Sequence, residues 1–187
     1  TDRLEQMFAT KRESTHRFRR VQFNLGMFGD FDLSDYADWK TREGGIELHK
    51  GLHWINLEYS EFLNSPEDGK DEELADVLHF ILEFCLLSGI DHTIIPAAPR
   101  HDEAPAPDRL EIVFMASISN GFVFPDADTN ARFGILASLA CAEMIKNKPW
   151  KQTLKTERDE AEFTVRVRAI WFWFGATCRT HGLTPET

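Results

Sequence analysis

Cysteine and positive charge are both scarce in this chain, and each scarcity excludes something. Its three cysteines (Cys85, Cys141 and Cys178) form no Cys-x-x-Cys motif, are odd in number and lie in apolar runs. Neither a disulfide framework nor a zinc site is expected; buried free thiols in a reducing compartment are. Lys and Arg together number 21 against 31 Asp and Glu, a net charge of −10. Non-specific nucleic-acid binding depends on cations that neutralise phosphates, so no nucleic-acid partner is expected. An excess of carboxylates suits a protein that holds cations. No apolar run reaches the roughly 18 residues of a membrane span, and Thr1-Asp2-Arg3-Leu4-Glu5 lacks the shape of a signal peptide. The expectation is a cytoplasmic protein with no membrane partner, its initiator Met removed.

What is present is a globular composition, 42% hydrophobic and 28% charged over 187 residues. At roughly 150 residues per domain this predicts a single domain, 1–187. Apolar residues recur at intervals of three and four in several stretches. The pattern predicts helices over about 2–23, Ile46–Leu63, Glu72–Ser88, Leu110–Ser119, Asn130–Asn147 and Arg158–Thr180. Gly89 and Gly182 are placed as C-terminal caps, and Asp68 or Asp71 as an N-terminal cap. Residues 24–45 read as loop with a short helical turn at Leu33–Trp39, because Gly26, Gly29, Gly44 and Gly45 punctuate them. Four of the eight prolines fall in 91–109, which reads as an irregular Pro-rich loop. Almost no stretch alternates with period two. The fold class expected is all-α: a helical bundle made of two hairpins.

Two short acidic motifs stand out, Glu58-Tyr59-Ser60-Glu61 and Glu73-Leu74-Ala75-Asp76. Residues three apart share a helix face, so each motif presents a pair of carboxylates. Only 11 residues separate Glu61 from Glu73, with a Pro/Gly turn among them. A short connection favours antiparallel neighbours, which lets the pairs face each other. Four inward carboxylates repel, and burying them ionised costs several kcal/mol each by order of magnitude. Mg²⁺ offsets that cost, because it takes oxygen ligands and bridges carboxylates to phosphates. Either motif alone is what a solvated helix face also carries. The two together, flanked by Leu57, Phe62, Leu74 and Val77, point to a metal site.

With these residues in view, the hairpin resembles the all-α nucleoside triphosphate pyrophosphohydrolases, the superfamily of MazG-type enzymes and dimeric dUTPases. The run Glu72-Glu73-Leu74-Ala75-Asp76-Val77-Leu78-His79-Phe80-Ile81-Leu82 is similar to the dimeric dUTPase and phage dCTPase/dUTPase branch, as is Leu4-Glu5-Gln6-Met7-Phe8 in the first helix. The resemblance implies that Glu58, Glu61, Glu73 and Asp76 bind Mg²⁺, with Mn²⁺ as a substitute. It implies hydrolysis of a deoxynucleoside triphosphate, dUTP first, to the monophosphate and pyrophosphate. Another nucleotide (dCTP, a purine dNTP or a modified one) is the alternative within this class, and an inactive helical interaction module the alternative outside it. Glu61 and Glu58 are the acids expected at the attacking water. Lys11 stands where the branch has a base-reading Gln, and lysine offers donors only, so an altered base preference is implied. A phage origin would place the protein in the host cytoplasm.

The last third looks like a worn copy of the catalytic hairpin (46–89). In that register over 130–182, Glu143 falls on Glu61, Ala140 on Glu58, Arg166 on Glu73 and Ala169 on Asp76, so the second hairpin reads as a degenerate copy, or else as a pair of amphipathic helices that aligns by its period alone. Lys148 and Lys151, beside Trp150, are placed to contact phosphates, or else the segment is a helix stop with Trp150 packed on the bundle. Trp54, four residues before Glu58, lies on the metal face and can stack on a base or pack in the core. His79 reads as a partner of Asp76 or an edge-of-core residue, and His16, His92, His101 and His181 as surface residues. The row Trp171-Phe172-Trp173-Phe174 has more than one face to cover, which predicts a homodimer.

Overall fold

The computed structural model describes residues 2–24, 39–96, 108–119, 123–145, 147, 152 and 157–186; the side chains of 15–24 and 117–119 lie outside that description. Among the described residues there are six α-helices and no strand. They are α1 (Arg3–Asn24), α2 (Arg42–Asn64), α3 (Lys70–Leu87), α4 (Arg109–Ser119), α5 (Ala127–Met144) and α6 (Glu160–His181). Short 3₁₀ turns at Glu67–Gly69 and His92–Ile94 join or extend them. The chain is an all-α bundle. Helices α2 and α3 form one hairpin and α5 and α6 another, with α2 packed on α5, α1 on α3 and α4 on α6.

The apolar periodicity becomes one enclosed core. Leu48, Leu52, Ile55, Tyr59 and Phe62 of α2 meet Leu74, Val77, Ile81 and Phe84 of α3, and all are buried. Phe163, Val167, Ile170 and Trp171 supply the same from α6. Each such side chain contributes roughly 1.5–3 kcal/mol of burial. Small residues set how closely the hairpins approach: a Cβ on Gly134 of α5 would stand 2.6 Å from the Tyr59 ring of α2. Ser138 of α5 also hydrogen-bonds Asn56 of α2. At the other side, Arg3 pairs with Asp108 at 2.5 Å and Arg109 with Asp2 at 2.9 Å, tying the starts of α1 and α4 together.

Several boundaries differ from the periodic reading, each for a local reason. Helix α2 begins at Arg42 instead of Ile46, because Thr41 Oγ1 caps it by accepting from the Gly44 N–H at 3.0 Å. Gly44 and Gly45 are thus helical, and Gly45 is needed there: a Cβ would collide with the Asn147 carbonyl. Neither Asp68 nor Asp71 caps α3. Its first flanking residue is Gly69, Asp68 lies in the 3₁₀ turn, and Asp71 is helical. Helix α5 starts at Ala127 under an Asp126 cap. Asn130, fully buried, instead bonds the carbonyls of Phe124 and Asp126 and the Thr180 hydroxyl. Helix α5 ends at Met144 and α6 begins at Glu160, under an Asp159 cap. The C-terminal caps are where expected: Gly89 and Gly182 take left-handed φ of 76° and 99°. The expected turn at Leu33–Trp39 falls outside the described residues except for Trp39.

The aromatic row in α6 is covered within the chain more than expected. Trp171 and Phe174 are buried, and Trp173 stacks on Phe133 at 4.8 Å. All three cysteines are free and buried, and burial pushes the Cys85 and Cys141 thiols up to about 12. Among the described residues no helix is long and apolar enough to cross a membrane.

Candidate metal centre

The hairpin turn explains how the acids meet. Helix α2 ends at Asn64, where the Ser65 N–H bonds the Glu61 carbonyl at 2.8 Å, and the 3₁₀ turn feeds straight into α3. The reversal brings Glu58 opposite Glu73 and Asp76. One carboxylate oxygen from each lies within 4.8 Å of the others. Ser65 was not anticipated as part of this arrangement; its hydroxyl donates to Glu73 Oε1 at 3.1 Å. Glu61, the fourth expected ligand, is exposed and stands outside this convergent group. It remains near enough for its charge to act on Glu58.

Among the described residues, none of the four acids is ion-paired with a lysine, arginine or histidine. Burial, followed by the charges of Glu61, Asp76 and Glu73, pushes the Glu58 carboxyl up to about 6. Like charges held together resist ionising together, and a bound cation removes that resistance. The donor set is all carboxylate oxygen, the choice of hard divalent cations such as Mg²⁺, Mn²⁺ and Ca²⁺ and not of soft ones. The residues present therefore fit a divalent ion, without selecting among these.

Of the expected substrate contacts, two are described and three are not. Trp54 is half-buried, its ring 5.2 Å from that of Phe80, so it packs at the edge of the core, one helical turn before Glu58 on α2. Lys11 is buried in the bundle rather than exposed, 4% accessible, and its Nζ lies 3.0 Å from Glu83 Oε2. Lys148, Trp150 and Lys151 lie outside the described residues. Reading the sequence missed Glu83. Its signal was a lone acid inside the apolar run Phe80–Leu87, seven residues after Asp76.

A cavity of about 860 Å³ opens between α1, α3, α4, α6 and the C-terminal tail. Lys11, His79, Met7, Leu78 and Phe114 are among the residues lining it. His79 belongs to both places: it borders the cavity, its ring meets Phe80 edge-on at 5.9 Å, and the Asp76 charge reaches it. Burial, and then Lys11, hold its pKa below the usual histidine value against the opposing pull of Glu83 and Asp76. Two histidines expected on the surface are engaged. His181 sits between Glu67 and Asp71, 3.0 Å from the latter, because α6 runs past the hairpin turn. His92 faces Phe8 at 6.4 Å, brought there by the turn after α3. His101 is outside the described residues, as is the side chain of His16.

No known protein family, no curated protein and no solved structure matches this chain.

Proposed function

We propose that this chain is a divalent-metal-dependent nucleoside triphosphate pyrophosphohydrolase acting on a deoxynucleotide, with dUTP the first candidate. One observation carries the reading: Glu58, Glu73 and Asp76 converge from two helices, and among the described residues no lysine, arginine or histidine pairs with them. The resemblance of the hairpin to the all-α pyrophosphohydrolases supports the choice of reaction. Mg²⁺, when bound, supplies positive charge for phosphate oxygens and acidifies water at neutral pH.

The chain's own residues divide the work. Glu58, Glu73 and Asp76 hold the ion, and Ser65 fixes the Glu73 carboxylate by donating to it. Glu61, exposed one turn beyond Glu58, orients the attacking water and accepts its proton. The water oxygen bonds to phosphorus, the bond between the first and second phosphoryl groups breaks, and monophosphate and pyrophosphate leave. Trp54 and Phe80, one helical turn from Glu58 and Asp76 along α2 and α3, are the ring surfaces offered to a base. Lys11, where the branch carries a base-reading Gln, keeps dCTP, purine and modified nucleotides in the panel beside dUTP. A homodimer in a reducing cytoplasm belongs to the same proposal, and light scattering at the mass of a 21.5 kDa monomer would refute the dimer.

The test is release of pyrophosphate from each dNTP in the presence of Mg²⁺. Turnover of at least one is expected, with loss in Asp76→Asn and Glu61→Gln at unchanged helical content. Turnover of none overturns the reading and favours a catalytically inactive helical module.

A further inference from the structure

The acidic hairpin is fastened at its turn by the other hairpin. Glu73 lies in the first turn of α3, and that turn has no side-chain cap, its flanking residue being Gly69. The first N–H groups of a helix have no partners within it, so an uncapped first turn is the part of α3 least fixed by its own backbone. Yet its first two residues are each tied to the second hairpin. Lys70 Nζ lies 2.9 Å from Asp128 Oδ1 in the first turn of α5. Asp71 Oδ1 lies 3.0 Å from His181 Nε2 at the end of α6. Lys70 and His181 also close on the Phe62 ring of α2, the lysine Nζ 4.9 Å from its centre and the imidazole edge-on at 5.6 Å. Phe62 is fully buried and stands one turn beyond Glu58. Helix stability does not account for Lys70: a cation in the first turn opposes the helix dipole, and ion pairs with an exposed partner contribute little. What the pair fixes is position.

We propose that Lys70 and Asp71, held by Asp128 and His181, are positioning residues through which the second hairpin keeps the first turn of α3, and with it Glu73, in place to share an ion with Glu58 and Asp76. This rests on the reading of those three acids as a metal centre. Ser65 holds the Glu73 carboxylate from the α2 side of the turn, 3.1 Å away. The two ties hold the backbone beneath it from the α5–α6 side. None of the four clamp residues is a ligand; each acts through Glu73. Metal ligands must stand within roughly 0.5 Å of their working positions, which an uncapped turn does not ensure by itself. Releasing the clamp therefore lowers ion affinity while the fold survives, as loss of the groups behind metal ligands does by roughly 10–100-fold.

Titration of the full chain with Mn²⁺, followed by electron paramagnetic resonance, tests the clamp, because charge alone predicts the opposite sign. Lys70→Met removes a positive charge three residues from Glu73, so Coulomb attraction alone would tighten Mn²⁺ binding. The clamp predicts binding roughly tenfold weaker. Asp128→Asn, on a side chain 46% exposed, leaves the core intact and predicts a loss of the same size. The double variant Lys70→Met/Asp128→Asn predicts no further loss, since both changes break one pair. Lys70→Arg keeps the pair and stays within about threefold of wild type. Arg3→Met removes the same charge and breaks the ties between α1 and α4, yet leaves Mn²⁺ affinity within that margin, which separates positioning from a general loss of stability. Circular dichroism checks that each variant folds. Lys70→Met protein that binds as tightly as wild type, or more tightly, overturns the clamp, as does Arg3→Met protein that weakens binding equally. Wild type that binds no Mn²⁺ overturns the metal centre and the clamp with it. Wild type that binds, with Lys70→Met and Asp128→Asn equal to it, strikes the clamp alone.

Discussion

Helices α2–α3 and α5–α6 each form a tightly packed hairpin around fully buried aromatic rings, Tyr59 and Phe62 in one and Phe163 and Trp171 in the other. Their polar equipment differs sharply. The first brings three carboxylates within 4.8 Å. In the second, the positions that align with them hold Ala140, Arg166 and Ala169, and Arg166 forms an ordinary i,i+4 ion pair with Glu162 at 2.6 Å. A hairpin of this bundle therefore packs well without converging acids. In the first hairpin, burial and then the charges of Glu61, Asp76 and Glu73 raise the Glu58 carboxyl above its ordinary range. That contrast is what the proposed metal site rests on.

The largest expected effect breaks the comparison on the side of function. Asp76→Asn removes a convergent carboxylate at almost constant volume and should abolish pyrophosphate release with its helical circular dichroism intact. Glu143→Gln, on the exposed equivalent of Glu61 in the second hairpin, should leave turnover unchanged. Equal loss in both variants would erase the distinction between the hairpins.

The next effect tests whether the hairpins are equivalent as structure. Phe62→Ala and Trp171→Ala each empty a fully enclosed site and should each cost about 3–5 kcal/mol in chemical denaturation. A cost confined to one would show that a single hairpin carries the core. Between them, Gly134→Ala drives a methyl into the Tyr59 ring and should cost about 1–3 kcal/mol.

How much of this was legible in the sequence depended on distance along the chain. The acidic hairpin was, because its spacing, its short Pro/Gly connection and its flanking apolar residues are all local. The start of α2 was not, because glycine there is justified by a contact with Asn147, about 100 residues away. Asn130 has the composition of a cap and the position of a buried bracket, its side chain reaching Thr180 of α6. Lys11 and Glu83 meet only because α1 lies on α3, and periodicity on either helix alone gives no sign of the pairing. His181 was misjudged for the same reason, since Glu67 and Asp71 come to it from another element.

The smallest effect is a pH dependence. The Glu58 carboxyl moves from its ordinary 4.5 up to about 6 on folding. The folded protein thus holds an extra proton between those values, and the associated stability is present below the window and lost as pH rises through it. Glu58→Gln should flatten this slope in metal-free protein and raise stability at pH 7 by on the order of 1 kcal/mol. The second hairpin predicts no such slope from Ala140.

The most direct test of the central claim is a Mn²⁺ titration followed by electron paramagnetic resonance, on wild type, Glu58→Gln, Asp76→Asn and Glu143→Gln at neutral pH. The account predicts saturable binding in wild type and Glu143→Gln, and its loss in the two variants of the first hairpin. Absence of binding in wild type, or equal binding in all four proteins, would contradict it.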